Sequence, residues 1–110
     1  MRQLDLAWAA GFFDGEGTTT TLNAKRDKYV YLRCSIAQKN VELLNKFKEV
    51  VGVGSIYKSN TREVYNWNCY KYEEVIQILN ALWPYLGEQK KQQAITSLNK
   101  VTSKGRNYGA

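Results

Sequence analysis

The chain contains no histidine. A histidine general base and a Ser-His-Asp triad are therefore excluded. Any catalysis must rest on carboxylates, lysine, tyrosine, cysteine or a metal held by oxygen ligands. Cysteine is scarce, with Cys34 and Cys69 isolated from each other in sequence. Two such thiols do not make a zinc site, which needs about four ligands at close spacing. Reduced and buried, they would fit an intracellular setting. No apolar run approaches the roughly 18 residues of a bilayer span, so no membrane partner is expected. The segment Met1 to Ala10 carries Asp5 and does not read as a signal peptide. Linkers and repeats are missing, and the short run Thr18 to Thr21 is the nearest approach to low complexity.

What is present describes an ordered domain. Hydrophobic residues are 44% and charged residues 24% of 110 positions, the balance of a globular chain with one modest core. Lys plus Arg number 16 against 10 for Asp plus Glu, a formal charge of +6. A basic balance in a small domain suggests nucleic acid or another anionic surface, although many basic domains are merely soluble.

The apolar spacing predicts a helix over Leu4 to Asp14. One stripe is Leu4, Trp8 and Phe12, and a second, of small residues, is Ala7, Gly11 and Gly15. Gly15 and Gly17 are expected to break that helix. Thr18 to Asn23 and Tyr29 to Ala37 read as strands around a polar loop. In the second strand Val30, Leu32, Cys34 and Ile36 share one face, and Tyr29, Tyr31, Arg33 and Ser35 share the other. Asn40 can cap a helix over Val41 to Val51, with Val41, Leu44, Phe47 and Val51 on one side. Ser55 to Ser59 and Glu63 to Tyr70 read as a hairpin around Asn60, with Tyr65, Trp67 and Cys69 inward and Val64, Asn66 and Asn68 outward. A helix over Tyr72 to Leu82 presents Val75, Ile76, Leu79 and Leu82. Pro84 interrupts, and a last helix over Glu88 to Val101 presents Ala94, Ile95, Leu98 and Val101.

The order is α-ββ-α-ββ-α-α. That is an α+β domain over 1–102 with a four-stranded antiparallel sheet covered by helices on one face, followed by a polar tail over 103–110. The open face carries Tyr29, Tyr31, Arg33, Ser35, Tyr57, Asn66 and Asn68. Aromatic, amide and guanidinium groups replace the usual Lys and Glu. This is either a polar sheet surface or a saddle for nucleic acid, since Arg and Asn pair bidentately with base edges in the major groove.

The run Ala9-Ala10-Gly11-Phe12-Phe13-Asp14-Gly15-Glu16-Gly17, preceded by Trp8, resembles the motif that names the LAGLIDADG homing endonucleases. Small residues open it, large apolar residues follow, and Asp-Gly-acid-Gly closes it. The physics is consistent with the resemblance. Small residues at Ala7, Gly11 and Gly15 let two helix backbones approach closely. A carboxylate just past the last turn would meet its two-fold mate under a bound duplex. No histidine or adjacent lysine neutralises it, so a divalent cation is its natural partner.

The resemblance implies specific roles. Glu16 would be the catalytic acid and metal ligand, with the carbonyl of Gly15 a second metal-ligand candidate. Mg²⁺, or another divalent cation such as Mn²⁺, would be the cofactor. Asp14 would cap or brace the helix-strand junction. The run from Leu32 to Lys39, followed by a helix and Val51-Gly52-Val53-Gly54, is similar to the homodimeric branch, which points to Gln38 as a water-orienting residue. Trp83-Pro84-Tyr85-Leu86 and Gln89-Lys90-Lys91-Gln92-Gln93 also resemble the family, which points to Lys90, or failing that Lys91, as the group that stabilises phosphate charge. Glu42 stands where some relatives carry a basic residue, with Lys39 and Lys46 nearby, which implies slow cleavage.

A single motif builds half a site, so the resemblance implies a homodimer on a pseudo-palindromic DNA target. Its interface would use Ala7, Ala10, Gly11, Asp14 and Gly15. Double-stranded DNA would be read by Tyr29, Tyr31, Arg33, Ser35, Tyr57, Ser59, Asn66 and Asn68. Lys25, Arg26, Lys28, Lys58 and Arg62, at the hairpin tips, would touch phosphates. The alternative is a cleavage-inactive module of the same fold, either an RNA maturase, whose partner would be RNA, or a DNA-binding regulator. A small interaction protein with no nucleic acid is the third reading.

Overall fold

The computed structural model describes residues 3–23 and 30–103. Its elements are α1 (Gln3–Glu16), β1 (Gly17–Asn23), β2 (Val30–Gln38), α2 (Val41–Val51), β3 (Ser55–Lys58), β4 (Tyr65–Cys69), α3 (Tyr72–Leu82), a single 3₁₀ turn (Trp83–Tyr85) and α4 (Glu88–Ser103). The strands form one antiparallel sheet in the order β1-β2-β4-β3. The expected α+β order therefore holds, and no described helix is long and apolar enough to cross a membrane.

Local chemistry explains the element ends. Asn40 is the N-cap of α2, and its side chain accepts from the Glu42 N–H at 3.0 Å. Pro84 sits in the 3₁₀ turn, where its missing N–H costs no helical hydrogen bond. Gly54, at a φ of +96°, lets the backbone pass against the Trp67 indole, whose N–H donates to the Val53 carbonyl at 3.0 Å. The β3–β4 turn closes with the Ser59 N–H on the Val64 carbonyl at 2.8 Å.

The core lies between the sheet and the helices. Leu32, Cys34, Ile36, Trp67 and Cys69 face inward from the strands, as their alternation requires. Ala9, Ala10 and Phe13 of α1 meet them, with Leu44, Phe47 and Val51 of α2 and Val75, Ile78, Leu79 and Leu82 of α3. Phe47 joins three elements. Its ring is 4.9 Å from Trp67 edge-on, 6.3 Å from Phe13 and 5.9 Å from Phe12. Such aromatic pairs add about 0.5–1.5 kcal/mol each beyond the area they bury.

Four expectations change. The first helix does not break at Gly15 but runs to Glu16, and β1 starts at Gly17 with no residue between. Ala10 is fully buried inside the subunit, so it packs in the core rather than at a helix-helix contact between copies. In α4, Ile95 is 40% exposed and Ser97 is buried instead, because this helix packs on an edge strand whose backbone needs polar partners. Asn68 is 5% exposed and does not stand free on the open face, because its amide is tied down by a neighbouring phenol.

Burial pushes the Cys34 thiol up to about 12, although the Thr19 side chain, 3.5 Å away, pulls it down. Burial beside Glu74 pushes Cys69 up to about 11. Both thiols hold their protons in the fold, whereas an unfolded thiol ionises near 9.0. The stability this contributes is whole below pH 9 and is lost as pH rises through 11 and 12. Urea midpoints should therefore fall between those limits, and part of that fall should vanish in a Cys34→Ala, Cys69→Ala double variant. An identical slope in both proteins would assign the loss to other groups. A methyl at Gly17 would meet the Phe13 ring. Gly17→Ala should lower stability by about 1–3 kcal/mol in the same assay.

Candidate functional site

The junction of α1 and β1 gathers the candidate residues. Glu16 ends the helix with an exposed side chain, and Gly15 beside it is exposed too. Gln38, at the end of β2, is brought back to Glu16 because β1 and β2 pair with Gly17 opposite Ile36. Its amide nitrogen donates to Glu16 Oε1 at 3.1 Å, and its amide oxygen accepts from the Asn40 backbone N–H at 3.3 Å. The two bonds together set the orientation of the amide. The other Glu16 oxygen, Oε2, has no hydrogen-bond partner among the described residues.

Two contacts, one from α4 and one from the residue just before it, bracket Glu16. The Gly87 N–H donates to both oxygens of Asp14 at 3.0 Å each, so Asp14 sits at the start of α4, where the helix field favours a negative charge. Asp14 thus braces α1 against α4 rather than against the strand, and its carboxylate is engaged within the subunit. The Lys90 ammonium donates to the Gly17 carbonyl at 2.7 Å. Lys90 therefore lies one residue from the acid, held by backbone. Lys91 is elsewhere, with its ammonium 5.7 Å from the centre of the Trp83 ring. Lys46 is likewise engaged, 4.1 Å over the Trp8 ring.

The same helix satisfies the outer edge of β1. Gln93 accepts from the buried Thr19 N–H at 2.8 Å, and the Ser97 hydroxyl donates to the Thr19 carbonyl at 3.1 Å. Lys90, Gln93 and Ser97 are spaced to share one face of α4. An edge strand otherwise presents unpaired backbone groups, and here a helix covers them.

On the open face, register brings Thr18 beside Ser35, Ser35 beside Asn68 and Asn68 beside Ser55. The next rows place Thr20 beside Arg33 and Leu22 beside Tyr31. Asn66 lies between Ala37 and Tyr57. The Asn68 amide donates to the Tyr57 hydroxyl at 2.9 Å, which makes Asn68 a brace for Tyr57. Lys58 alternates to the other side, with Ile56, and pairs with Glu63 at 3.4 Å. Ser59 accepts from the Thr61 N–H at 3.3 Å inside the hairpin turn, and Arg62 is exposed beside it. Lys25, Arg26, Lys28 and Tyr29 lie outside the described residues.

The family resemblance pointed to Gln38, which bonds Glu16, and to Lys90, which bonds the adjoining Gly17 carbonyl, but the sequence reading missed Gln93, Ser97 and the Asn40 N–H. No local pattern marks them, because each acts on a distant strand or turn. It also passed over Thr18, Thr20 and Leu22, which extending the period of two through β1 would have put on the open face.

Among the described residues no three His, Cys, Asp or Glu side chains converge. Glu16 and the Gly15 carbonyl would therefore offer a cation few protein ligands. That donor set suits Mg²⁺, which keeps several waters and takes other oxygens from substrate phosphate.

The fold and site together define an α+β domain with the exposed Glu16 carboxylate where a helix meets the edge strand of an open sheet. The family profile of the LAGLIDADG endonucleases matches residues 9–102, and the chain belongs to that family. An intron-encoded DNA endonuclease of Dictyostelium discoideum, ai2b, is 30% identical over 99 residues, which are 84% of this chain and 36% of that protein. The chain thus spans about a third of the length of that curated relative. Solved homing endonucleases share the fold. I-CvuI, in complex with a DNA target, superposes with a TM-score of 0.78 at 23% identity over 94% of this chain and 71% of its own. The archaeal intron-encoded I-Vdi141I, complexed with DNA, gives 0.71 at 19% identity over 97% of this chain and 87% of its own.

The edge contacts generate a stability test. Gln93→Leu leaves the buried Thr19 N–H unpaired and should cost about 1–3 kcal/mol in urea unfolding. Ser97→Ala should cost about 0.5–1.5 kcal/mol. Unchanged midpoints would mean that water, not α4, satisfies this edge.

Proposed function

We propose that this chain is one subunit of a site-specific, divalent-metal-dependent double-strand DNA endonuclease that works as a homodimer. The observation that carries the reading is the exposed Glu16 carboxylate, held by Gln38 beside an open, polar sheet face. A subunit that only bound DNA would gain nothing from an acid at the edge of a phosphate-binding surface.

The dimer reading rests on α1. Apolar residues lie on every side of this helix, yet one side has no cover among the described residues. Leu4 is 85% exposed, and a side-chain carbon at Gly11 or Gly15 would meet nothing within 4 Å. A second copy of the helix can approach closely along Ala7, Gly11 and Gly15. The contact is isologous, so it brings the two Glu16 carboxylates together across the two-fold and makes the target pseudo-palindromic. DNA targets in the complexes of I-CvuI and I-Vdi141I support duplex DNA as the ligand of this fold.

A divalent cation held by Glu16, the Gly15 carbonyl and substrate phosphate would activate water and stabilise charge on the scissile phosphate. The chain's own residues supply the geometry. Gln38 keeps Glu16 Oε1 in place, so the open Oε2 faces ligand. Lys90 lies at Gly17 with two further donor protons, within reach of a phosphate placed over the junction. Tyr31, Ser35, Tyr57 and Asn66 offer hydrogen bonds to base edges.

Native protein incubated with a randomised-site plasmid library and Mg²⁺ should give discrete pseudo-palindromic cuts. Glu16→Gln should lower cutting at least about a hundredfold and keep DNA binding. Gln38→Ala should cost about 10–100-fold. Gly11→Gln should shift the protein from dimer to monomer in sedimentation and abolish paired cuts. Specific DNA binding without cutting, equal in native protein and Glu16→Gln, would establish a cleavage-inactive module instead.

A further inference from the structure

Among the described residues the open sheet face is nearly free of charge. Thr18, Thr20, Leu22, Tyr31, Ser35, Ala37, Asn66, Asn68, Ser55 and Tyr57 are neutral, and Arg33 is the exception. It stands on β2, one of the two central strands, opposite Thr20 and between Tyr31 and Ser35. No described carboxylate pairs with it. Its Nε is buried and has no hydrogen-bond partner. The terminal nitrogens are not enclosed in this way and make no hydrogen bond or ion pair with the described residues.

This is an unusual state for a guanidinium. A buried, unpaired N–H costs free energy, and a cation on a sheet face ordinarily finds an anion. Packing, not pairing, holds the stem of Arg33. The guanidinium thus belongs to the middle of the face and is not committed to any described group of the protein. Its described neighbours on the face, Thr20, Tyr31 and Ser35, are neutral and do not compete for an anion or an acceptor edge.

A phosphate contact is the less fitting reading. Phosphates line the rims of a groove, whereas Arg33 lies toward the centre of the surface that would enter it. In the groove the two adjacent acceptors that match the fork are O6 and N7 of guanine. Thr20 is three residues along β1 from Gly17, about 10 Å at roughly 3.4 Å per residue. At about 3.4 Å per base pair, that offset is near three base pairs.

We infer that Arg33 is the principal specificity-determining residue of the sheet. It reads one guanine in each half-site, about three base pairs outward from the phosphate over Glu16. The inference rests on the DNA reading above but does not depend on cleavage.

The test selects bound duplexes from a randomised double-stranded library with native protein, Arg33→Gln and Arg33→Ala. Native protein should fix one guanine per half-site, two to five base pairs from the expected cut, and any other base there should weaken binding about 5- to 150-fold. Arg33→Gln should move the preference to adenine, the base whose edge matches an amide, and Arg33→Ala should leave no preference. Urea midpoints check that both variants fold. If either does not, 7-deazaguanine at the selected position, which lacks N7, should weaken native binding while leaving pairing intact.

A half-site without a fixed guanine in that window overturns the inference. So does loss of affinity in Arg33→Gln that is equal for all sequences, which is the mark of a phosphate contact. A fixed guanine with no Mg²⁺-dependent cutting supports the assignment and removes the endonuclease reading. Native protein that binds no duplex at low salt overturns both.

Discussion

The rest of the molecule depends on a junction with no slack. Helix α1 ends at Glu16 and strand β1 begins at Gly17. The Phe13 ring occupies the space where a side chain on Gly17 would go, so the chain passes directly over the core. That close passage fixes the exit of the acid relative to the sheet. The Gly17 carbonyl, which leaves the helix there, is satisfied by Lys90. The Asp14 carboxylate ties the same stretch to Gly87. Glu16 is thus braced on both sides in sequence by contacts to one distant helix and the residue just before it.

Helix α4 therefore has two tasks, and they conflict with a purely apolar face. Ala94 and Val101 pack in the core, while Lys90, Gln93 and Ser97 serve backbone groups of β1. A buried backbone N–H without a partner would cost more than the apolar contact that a larger side chain could return. Ile95 is consequently left outside. The same logic runs through α1, which is apolar on more than one side. One side closes the core through Ala9, Ala10 and Phe13, while among the described residues nothing lies within 4 Å of a side-chain carbon at Gly11 or Gly15.

The open face follows from the same sheet. Because successive side chains alternate, every core residue on β2 obliges its neighbours to face outward. Leu32, Cys34 and Ile36 thereby set out Tyr31, Arg33 and Ser35. On β4 the rule is modified by a neighbour. Asn68 points to the open side by parity, yet the Tyr57 hydroxyl holds it and covers it. A face that sequence reads as a row of equivalent polar groups thus divides into braces, such as Asn68, and groups without a partner among the described residues, such as Arg33.

Local chemistry made much of this legible without coordinates. The bounds of α2 and α3, the Asn40 cap and the inward row of β2 all depend on residues within one or two turns of each other. Period, capping and propensity act over that range, so the sequence by itself determined them. Tertiary structure decided the burial of Ala10, the bracing roles of Asp14 and Asn68, the exposure of Ile95 and the pairing of Gln38 with Glu16. Each of these depends on a partner distant in sequence or brought near only by a strand or turn. Hydrogen-bond satisfaction and close packing are properties of the assembled neighbours, and no spacing within one segment encodes them.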